Sequence, residues 1–245
     1  MNKELFQEVC HNIIDQNIER NGIGTLSEKT IHAVLKSYFS PDQINQEQKV
    51  HNYVADILKG DQIIEIQTRS FNLLRRKLEV FLPDHQVTIV YPIAHTKWLC
   101  WVDEETGEVS KPRKSPKVGS AAQIFPELYR IKSYLTHPNL SLHIVLLDIE
   151  EYRLLNGWSK DKKKGSSRND GIPVNFADEI IIDNTSDYIK LLPDTLPAQF
   201  TTKDYKKATK VSQGSAWTAL NILSYVNAIK QIGKQGNSHL FERIH

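Results

Sequence analysis

The stretch from Tyr53 to Thr68 holds the side chains best suited to chemistry in this 245-residue chain. Its sequence, YVADILKGDQIIEIQT, has two runs rich in β-branched residues around a Lys-Gly-Asp-Gln turn, which predicts a β-hairpin. A symmetric turn would place Asp56 opposite Glu65, with Gln67 on the same face. Opposed carboxylates on apolar strands repel each other and lose hydration, and a bound divalent cation removes that conflict. Carboxylate oxygens suit Mg²⁺ or Mn²⁺, so the pattern predicts a metal site.

A solvated pair of carboxylates at a sheet edge is the alternative interpretation of the same residues. The neighbouring Ile57, Ile64 and Ile66 argue against full exposure, because large aliphatic side chains belong in a core. The metal site also depends on the register of the hairpin, since a shift of one residue would send Asp56 and Glu65 to opposite faces.

The elements that would position these residues alternate between helices and strands. Apolar residues at helical spacing, strand-like runs and turn residues together predict their boundaries. Helices are predicted over 2–20, 28–39, 71–82 and 121–136, and strands over 46–50, 53–58, 63–68, 86–93, 97–102 and 142–149. This order predicts an α/β or α+β fold around a mixed sheet. Two prolines in residues 191–200 predict a linker, which divides the chain into domains of residues 1–192 and 193–245.

The hairpin resembles the core motif of the PD-(D/E)XK nuclease superfamily. In that superfamily a strand Asp precedes a second strand that bears Glu-x-Lys, and a helix follows. Asp56 matches the first acid and Glu65 the second, while Gln67 stands where Lys is usual. The resemblance covers roughly residues 25–150 and implies a restriction-endonuclease-like mixed sheet flanked by helices. It also implies that Asp56 and Glu65 hold Mg²⁺ or Mn²⁺, and that the neutral Gln67 orients the attacking water rather than deprotonating it.

The same superfamily often supplies a further catalytic and metal-binding carboxylate from the helix before the hairpin. Glu28 and Glu47 are the two candidates, and Glu28 fits the order of helix, strand and hairpin better. An acidic residue in a first helical turn also stabilises the helix dipole, which gives Glu28 a purely structural alternative. Arg69 follows the hairpin and is a candidate for a contact with phosphate, with an ordinary surface charge as the alternative.

The C-terminal segment carries its own excess of positive charge. Residues 200–245 contain seven Lys or Arg residues against two Asp or Glu residues. Helices predicted over 203–210 and 215–228, followed by a Gly-containing hairpin, resemble a winged helix-turn-helix. That resemblance implies that the second helix enters a DNA groove while lysines contact the phosphates. The implied DNA-binding residues are Gln213, Ser215, Thr218 and Asn221 at or near the DNA side, and Lys206, Lys230 and Lys234 at the phosphates.

Two further points bear on the C-terminal segment. Winged helices also mediate protein contacts, so that use remains the alternative to DNA binding. Trp217 and Leu220 are predicted to lie in the core of this segment rather than on its DNA side.

Composition excludes several function classes. With 31 basic and 29 acidic residues, the net charge of +2 says little about partners. Cys10 and Cys100 lie far apart, which fits neither a disulfide framework nor a zinc site and predicts a cytoplasmic protein. No apolar run approaches the ~20 residues of a membrane span, so no membrane contact is expected. The sequence has neither a GK[ST] phosphate loop nor a Gly-x-Ser-x-Gly motif.

The residues and the two resemblances together predict a Mg²⁺-dependent deoxyribonuclease that hydrolyses phosphodiester bonds. The alternative is a non-catalytic DNA-binding or regulatory protein on a decayed nuclease core, which the neutral Gln67 favours. The oligomeric state stays open, and a homodimer is one option because many nucleases that cut two strands act as dimers.

Overall fold

The computed structural model of the protein describes residues 1–21, 30–103, 105–155, 165 and 167–244, without the side chains of residues 15–21 and 167–170. The helices are α1 (Lys3–Asn21), α2 (Thr30–Phe39), α3 (Arg75–Phe81), α4 (Phe125–Arg130), α5 (Thr202–Thr209) and α6 (Gln213–Tyr225). The strands are β1 (Gln46–Val50), β2 (Tyr53–Lys59), β3 (Gln62–Ile66), β4 (Gln86–Val102), β5 (Arg113–Lys114), β6 (Leu140–Leu154), β7 (Ser167–Ile182), β8 (Gln199–Thr201), β9 (Ile229–Gln235) and β10 (Ser238–Arg243). Within these ranges, no helix is both long enough and apolar enough to cross a membrane.

The strands form one large mixed sheet and one small sheet. The large sheet has the order β1-β2-β3-β4-β6-β7, with β5 paired to β4, and the small sheet has the order β8-β10-β9. Strands β2 and β3 are antiparallel, whereas β3 and β4 are parallel. The predicted class, an α/β (α+β) fold with a mixed sheet flanked by helices, is therefore confirmed. The specific nuclease version of that fold stays a prediction.

The chain divides into two compact units. One unit contains Met1–Gln46, Pro92–Gly119 and Val145–Glu179, and the other contains Glu47–Tyr91, Ser120–Ile144 and Ile180–His245. The hairpin β2–β3, helices α3 and α4, and the C-terminal elements α5 to β10 all belong to the second unit. The proposed division at residues 192 and 193 stays a prediction.

Helix α3 is fixed against the sheet by aromatic and aliphatic side chains. A 3-10 turn over Phe71–Leu74 leads into it, and Leu74, Leu78 and Phe81 are fully buried. The Phe71 ring packs edge-on against Tyr91 at a centroid distance of 5.1 Å. Burial of these apolar side chains holds α3 in place beside the hairpin. The positions of the remaining side chains of α3 are fixed as a result.

Several element boundaries differ from the sequence predictions for identifiable reasons. Strand β4 is continuous where two strands were predicted, because Pro92 lies between the residues that pair with β3 and those that pair with β5. Its missing N–H therefore lies outside the paired positions that β4 shares with β3 and β5. The helix predicted over 121–136 is three short helical segments, and Pro126 lies in the first turn of α4, where its missing N–H costs no helical hydrogen bond. The helix predicted over 71–82 is a 3-10 turn followed by α3.

The strand β7 has no counterpart in the sequence predictions. Its sequence begins with Ser-Arg-Asn-Asp-Gly, a run of residues typical of turns, yet it forms an edge of the large sheet. Pairing with a neighbouring strand overrides the weak local preference. The two helices and the hairpin predicted for the C-terminal segment are present as α5, α6 and β9–β10.

Candidate active site

The hairpin has the register that the sequence predicts. Backbone pairs join Ile57 to Ile64, Leu58 to Ile63 and Lys59 to Gln62, which is a turn symmetric about Gly60 and Asp61. Gly60 has a φ of 59°, in the left-handed region that glycine adopts without a steric penalty. Asp56 and Glu65 occupy the next positions along the two strands.

The two carboxylates meet where the backbone ladder ends. Asp56 Oδ2 accepts the Ile66 backbone N–H at 2.7 Å, and Glu65 Oε1 accepts the Asp56 backbone N–H at 3.4 Å. Each carboxylate is thus held by the backbone of the opposite strand. These bonds fix both side chains at the same end of the hairpin, as the prediction of a shared site requires.

Glu65 is an acidic side chain inside a nearly apolar strand. It is 2% exposed, and its strand neighbours Ile63, Ile64 and Ile66 are buried as well. Burial raises the pKa of the Glu65 carboxyl, and the nearby Asp56 carboxylate raises it further. The ammonium of Lys77 acts in the opposite direction. The net effect is a raised pKa, so a cation close to Glu65 favours its ionised form without restoring the ordinary pKa of a glutamate.

Lys77 supplies that cation. Its Nζ lies 3.0 Å from Oε1 and 2.8 Å from Oε2 of Glu65, and its side chain is 23% exposed. Sequence reasoning did not select this residue. The signal was present, because Lys77 lies three residues after Leu74 and four before Phe81, spacings that place it beside the buried face of α3. Such a basic residue, on the helix that follows the hairpin, can form an ion pair with a carboxylate of the hairpin.

Gln67 follows the last residue of β3. Its backbone N–H donates to the Val90 carbonyl at 2.9 Å, which continues the parallel pairing with β4. Its side-chain amide donates to the Arg69 carbonyl, and to the Ser70 carbonyl at 3.4 Å. The amide nitrogen of Gln67 therefore closes the loop before α3. Arg69 itself has an exposed side chain in that loop.

The third carboxylate is not settled by the structure. Glu28 lies outside the described residues. Glu47 is exposed on β1. Across the ranges that are described, no three His, Cys, Asp or Glu side chains come together as a metal site. Glu47 therefore does not complete a three-carboxylate cluster with Asp56 and Glu65.

The C-terminal candidates lie mostly on the surface. Lys206, Gln213, Lys230 and Lys234 are exposed. Ser212 caps α6 by accepting the Ser215 backbone N–H at 3.1 Å, so Ser215 belongs to the first helical turn.

Two other candidates on α6 make contacts of their own. The Thr218 hydroxyl donates to the Gly214 carbonyl at 3.0 Å, and Asn221 Oδ1 accepts from Lys132 Nζ at 2.8 Å. The prediction that Leu220 is core is confirmed, whereas the same prediction for Trp217 is wrong, since 44% of that residue is exposed. The Trp217 ring packs edge-on against His239, which covers only part of the indole.

The chain combines a mixed α/β fold with a site of two carboxylates and one lysine, and it belongs to the family described as Domain of unknown function (DUF8091). The family model matches residues 29–183, more than half of the chain. That match includes Asp56, Glu65, Gln67 and Lys77 and ends before α5. The chain is also 38% identical over 147 residues to an "Uncharacterized protein" of Treponema pallidum (strain Nichols), a match that covers 60% of this chain and 56% of that protein. No solved structure gave a significant match.

Proposed function

We propose that the protein hydrolyses phosphodiester bonds in DNA with the help of Mg²⁺ or Mn²⁺. The observation that carries this proposal is the cluster of Asp56, Glu65 and Lys77, which the hairpin and α3 bring together at one end of β3. A buried carboxylate, a second carboxylate and an ammonium within bonding distance combine metal-binding groups with a group that can bind an anion.

The donor set fits a divalent cation of this kind. Mg²⁺ is usually held by one or two carboxylates, with waters and substrate phosphates completing its shell. Asp56 and Glu65 would hold it, and Glu28 is proposed as a third ligand. The like charges that raise the pKa of Glu65 are the charges a cation would offset. When bound, such a metal lowers the pKa of water and polarises a phosphodiester oxygen.

Other residues of the chain have roles that follow from their charge and position. Lys77 carries the positive charge that Gln67 lacks, and its ammonium is proposed to bind a phosphate oxygen while it favours the ionised form of Glu65. Gln67 is neutral, so it can orient a water molecule or position the loop but cannot serve as a base at neutral pH. Arg69 is proposed to contact the phosphate backbone of the substrate.

The C-terminal elements are proposed to bind the same substrate as a winged helix. Their excess of lysine and the exposed polar residues of α6 support that role. We also propose a cytoplasmic location, because Cys10 and Cys100 are both buried, free thiols.

One observation favours a second candidate, a DNA-binding or regulatory protein without catalysis. The Gln67 amide nitrogen is bonded to loop carbonyls and Lys77 is bonded to Glu65, so both groups are engaged inside the protein. In that case the cluster would stabilise the fold, and DNA would be bound but not cut.

Cleavage of a DNA panel decides between the two candidates. Linear duplex, single-stranded and branched substrates would be incubated with Mg²⁺, Mn²⁺ or EDTA. We expect metal-dependent cleavage by the wild type and a loss of at least about 100-fold in Glu65→Gln, because a metal ligand is removed. Asp61→Asn is the matched control, since Asp61 is an exposed carboxylate in the turn of the same hairpin. Binding without cleavage by all three proteins would establish the second candidate.

A further inference from the structure

Helices α4 and α6 border a pair of adjoining depressions in the same compact unit as the hairpin. One, of about 410 Å³, is lined by Tyr129, Trp217 and Asn221 among others. The other, of about 400 Å³, is lined by Tyr129, Lys132 and Tyr225 among others. Because both share Tyr129, they form one continuous surface, which we call the aromatic groove.

Three large aromatic side chains of the groove are open to solvent. Tyr129 is 55% exposed, Trp217 44% and Tyr225 40%. Exposed aromatic residues gathered on one surface are typical of binding surfaces, because a bound partner would restore the burial that these side chains lack. Three exposed aromatic rings suit a ligand that contains several aromatic rings, because such rings stack on one another.

The rings are held in position before any ligand arrives. Lys132 Nζ lies 4.6 Å from the centre of the Tyr225 ring and 6.0 Å from that of Tyr129, within the range of cation–π attraction. The same ammonium donates to Asn221 Oδ1 at 2.8 Å. On the other side, His239 packs edge-on against Trp217 at 5.1 Å between ring centres. A platform fixed in advance loses less conformational entropy when it binds.

The charges around the groove are mainly positive. Arg75, Arg130 and Lys132 line its second depression. Glu127 lies 3.6 Å from Arg130 and offsets part of its charge, but the Glu127 carboxylate also accepts the Phe71 backbone N–H at 2.7 Å. A ligand with flat rings and negative charges matches this combination of aromatic and basic groups.

We infer that the aromatic groove binds single-stranded DNA, with bases stacked on the exposed rings and phosphates on the arginine and lysine side chains. Base–aromatic stacking needs unpaired bases, whose faces a duplex hides, and it tolerates any sequence. The choice of DNA as the nucleic acid rests on the proposed function. The inference changes the expected use of α6, because Thr218 and Asn221 line this groove beside aromatic rings and would meet unpaired bases instead of a duplex major groove.

Binding of labelled oligonucleotides in EDTA tests the inference without any cleavage. Fluorescence anisotropy would compare a short oligo-dT strand with a duplex of equal length. We expect the single strand to bind more tightly, and Trp217→Leu to weaken that binding about tenfold, the loss of one stacked base. Trp217→Phe should keep most of the affinity, because a flat ring remains. Lys132→Gln should lower the slope of log affinity against log salt by about 0.7, the value for one phosphate contact.

The control uses a second aromatic–lysine pair far from the groove in sequence. Lys114 lies 5.8 Å from the Trp98 ring, so Trp98→Leu removes a comparable indole and should leave the affinity unchanged. Equal binding by Trp217→Leu and the wild type, or tighter binding of the duplex, would overturn the inference. Because this binding is measured in EDTA, an absence of cleavage by the wild type would refute the nuclease proposal and leave the groove result unaffected, so the two failures are distinguishable.

Discussion

The hairpin cluster and the aromatic groove place their unusual residues in opposite environments. In the cluster an acidic side chain, Glu65, is buried with Lys77 as its counter-ion, whereas in the groove three aromatic rings are exposed and contribute little to the core. Both arrangements depart from what stability alone would favour. The comparison shows that the cluster must be supported by interactions within the fold. Side chains of the groove, by contrast, can be replaced with little effect on the stability of the fold.

The largest expected effect comes from removing the cation of the cluster. Lys77→Met should destabilise the protein by about 2 kcal/mol, because Glu65 is left buried beside Asp56 without a counter-ion. The value is below that of a fully buried pair, since Lys77 is 23% exposed. Urea denaturation measures the change. The double variant Lys77→Met/Glu65→Gln should recover most of the loss, and no recovery would show that Lys77 acts through packing alone.

A divalent metal should stabilise the same cluster by a smaller amount. Mg²⁺ or Mn²⁺ at ten times its dissociation constant should add about 1.4 kcal/mol to the free energy of unfolding of the wild type. Glu65→Gln should show a much smaller gain, because one carboxylate ligand is gone. Thermal unfolding with and without metal measures both, with Ca²⁺ as a comparison ion. A gain of equal size in the variant would mean that the metal binds elsewhere.

A third prediction concerns the start of α5, close in sequence to the groove. Thr201 and Asp204 form a capping box, and hydrogen bonds from Thr201 lower the pKa of the Asp204 carboxyl below its ordinary value of 3.8. Thr201→Ala should cost about 1 kcal/mol at neutral pH. A carboxyl with a lowered pKa stabilises the fold above its ordinary pKa and loses that effect as the pH falls through the lowered value. The penalty of Thr201→Ala should therefore shrink below about pH 3.8.

The smallest expected change in stability is that of a substitution in the aromatic groove. Trp217→Leu should change the free energy of unfolding by less than about 0.5 kcal/mol, because the indole is half exposed. The same variant is expected to weaken DNA binding, so stability and binding would respond independently. Chemical denaturation next to the anisotropy titration provides the comparison. A loss of stability above 1 kcal/mol would indicate that Trp217 belongs to the core after all.

The sequence contained enough information for the hairpin but not for its surroundings. Two largely apolar runs and a glycine turn determine the register, so the meeting of Asp56 and Glu65 was predictable. The role of Lys77 was not, because ion pairing between a helix and a strand depends on how α3 packs. The exposure of Trp217 was missed for the same reason, since helical spacing marks an apolar face but not the neighbours that cover it.

The bond between the Glu127 carboxylate and the Phe71 backbone has a consequence for how the two regions behave together. Phe71 begins the turn that leads into α3 and Lys77, and Glu127 lies on α4 two residues before Tyr129. One carboxylate thus fastens the helix of the groove to the segment that carries the lysine of the cluster. Glu127 is therefore the residue whose substitution would act on both regions at once, whereas Lys77 and Trp217 share no partner and their substitutions should add.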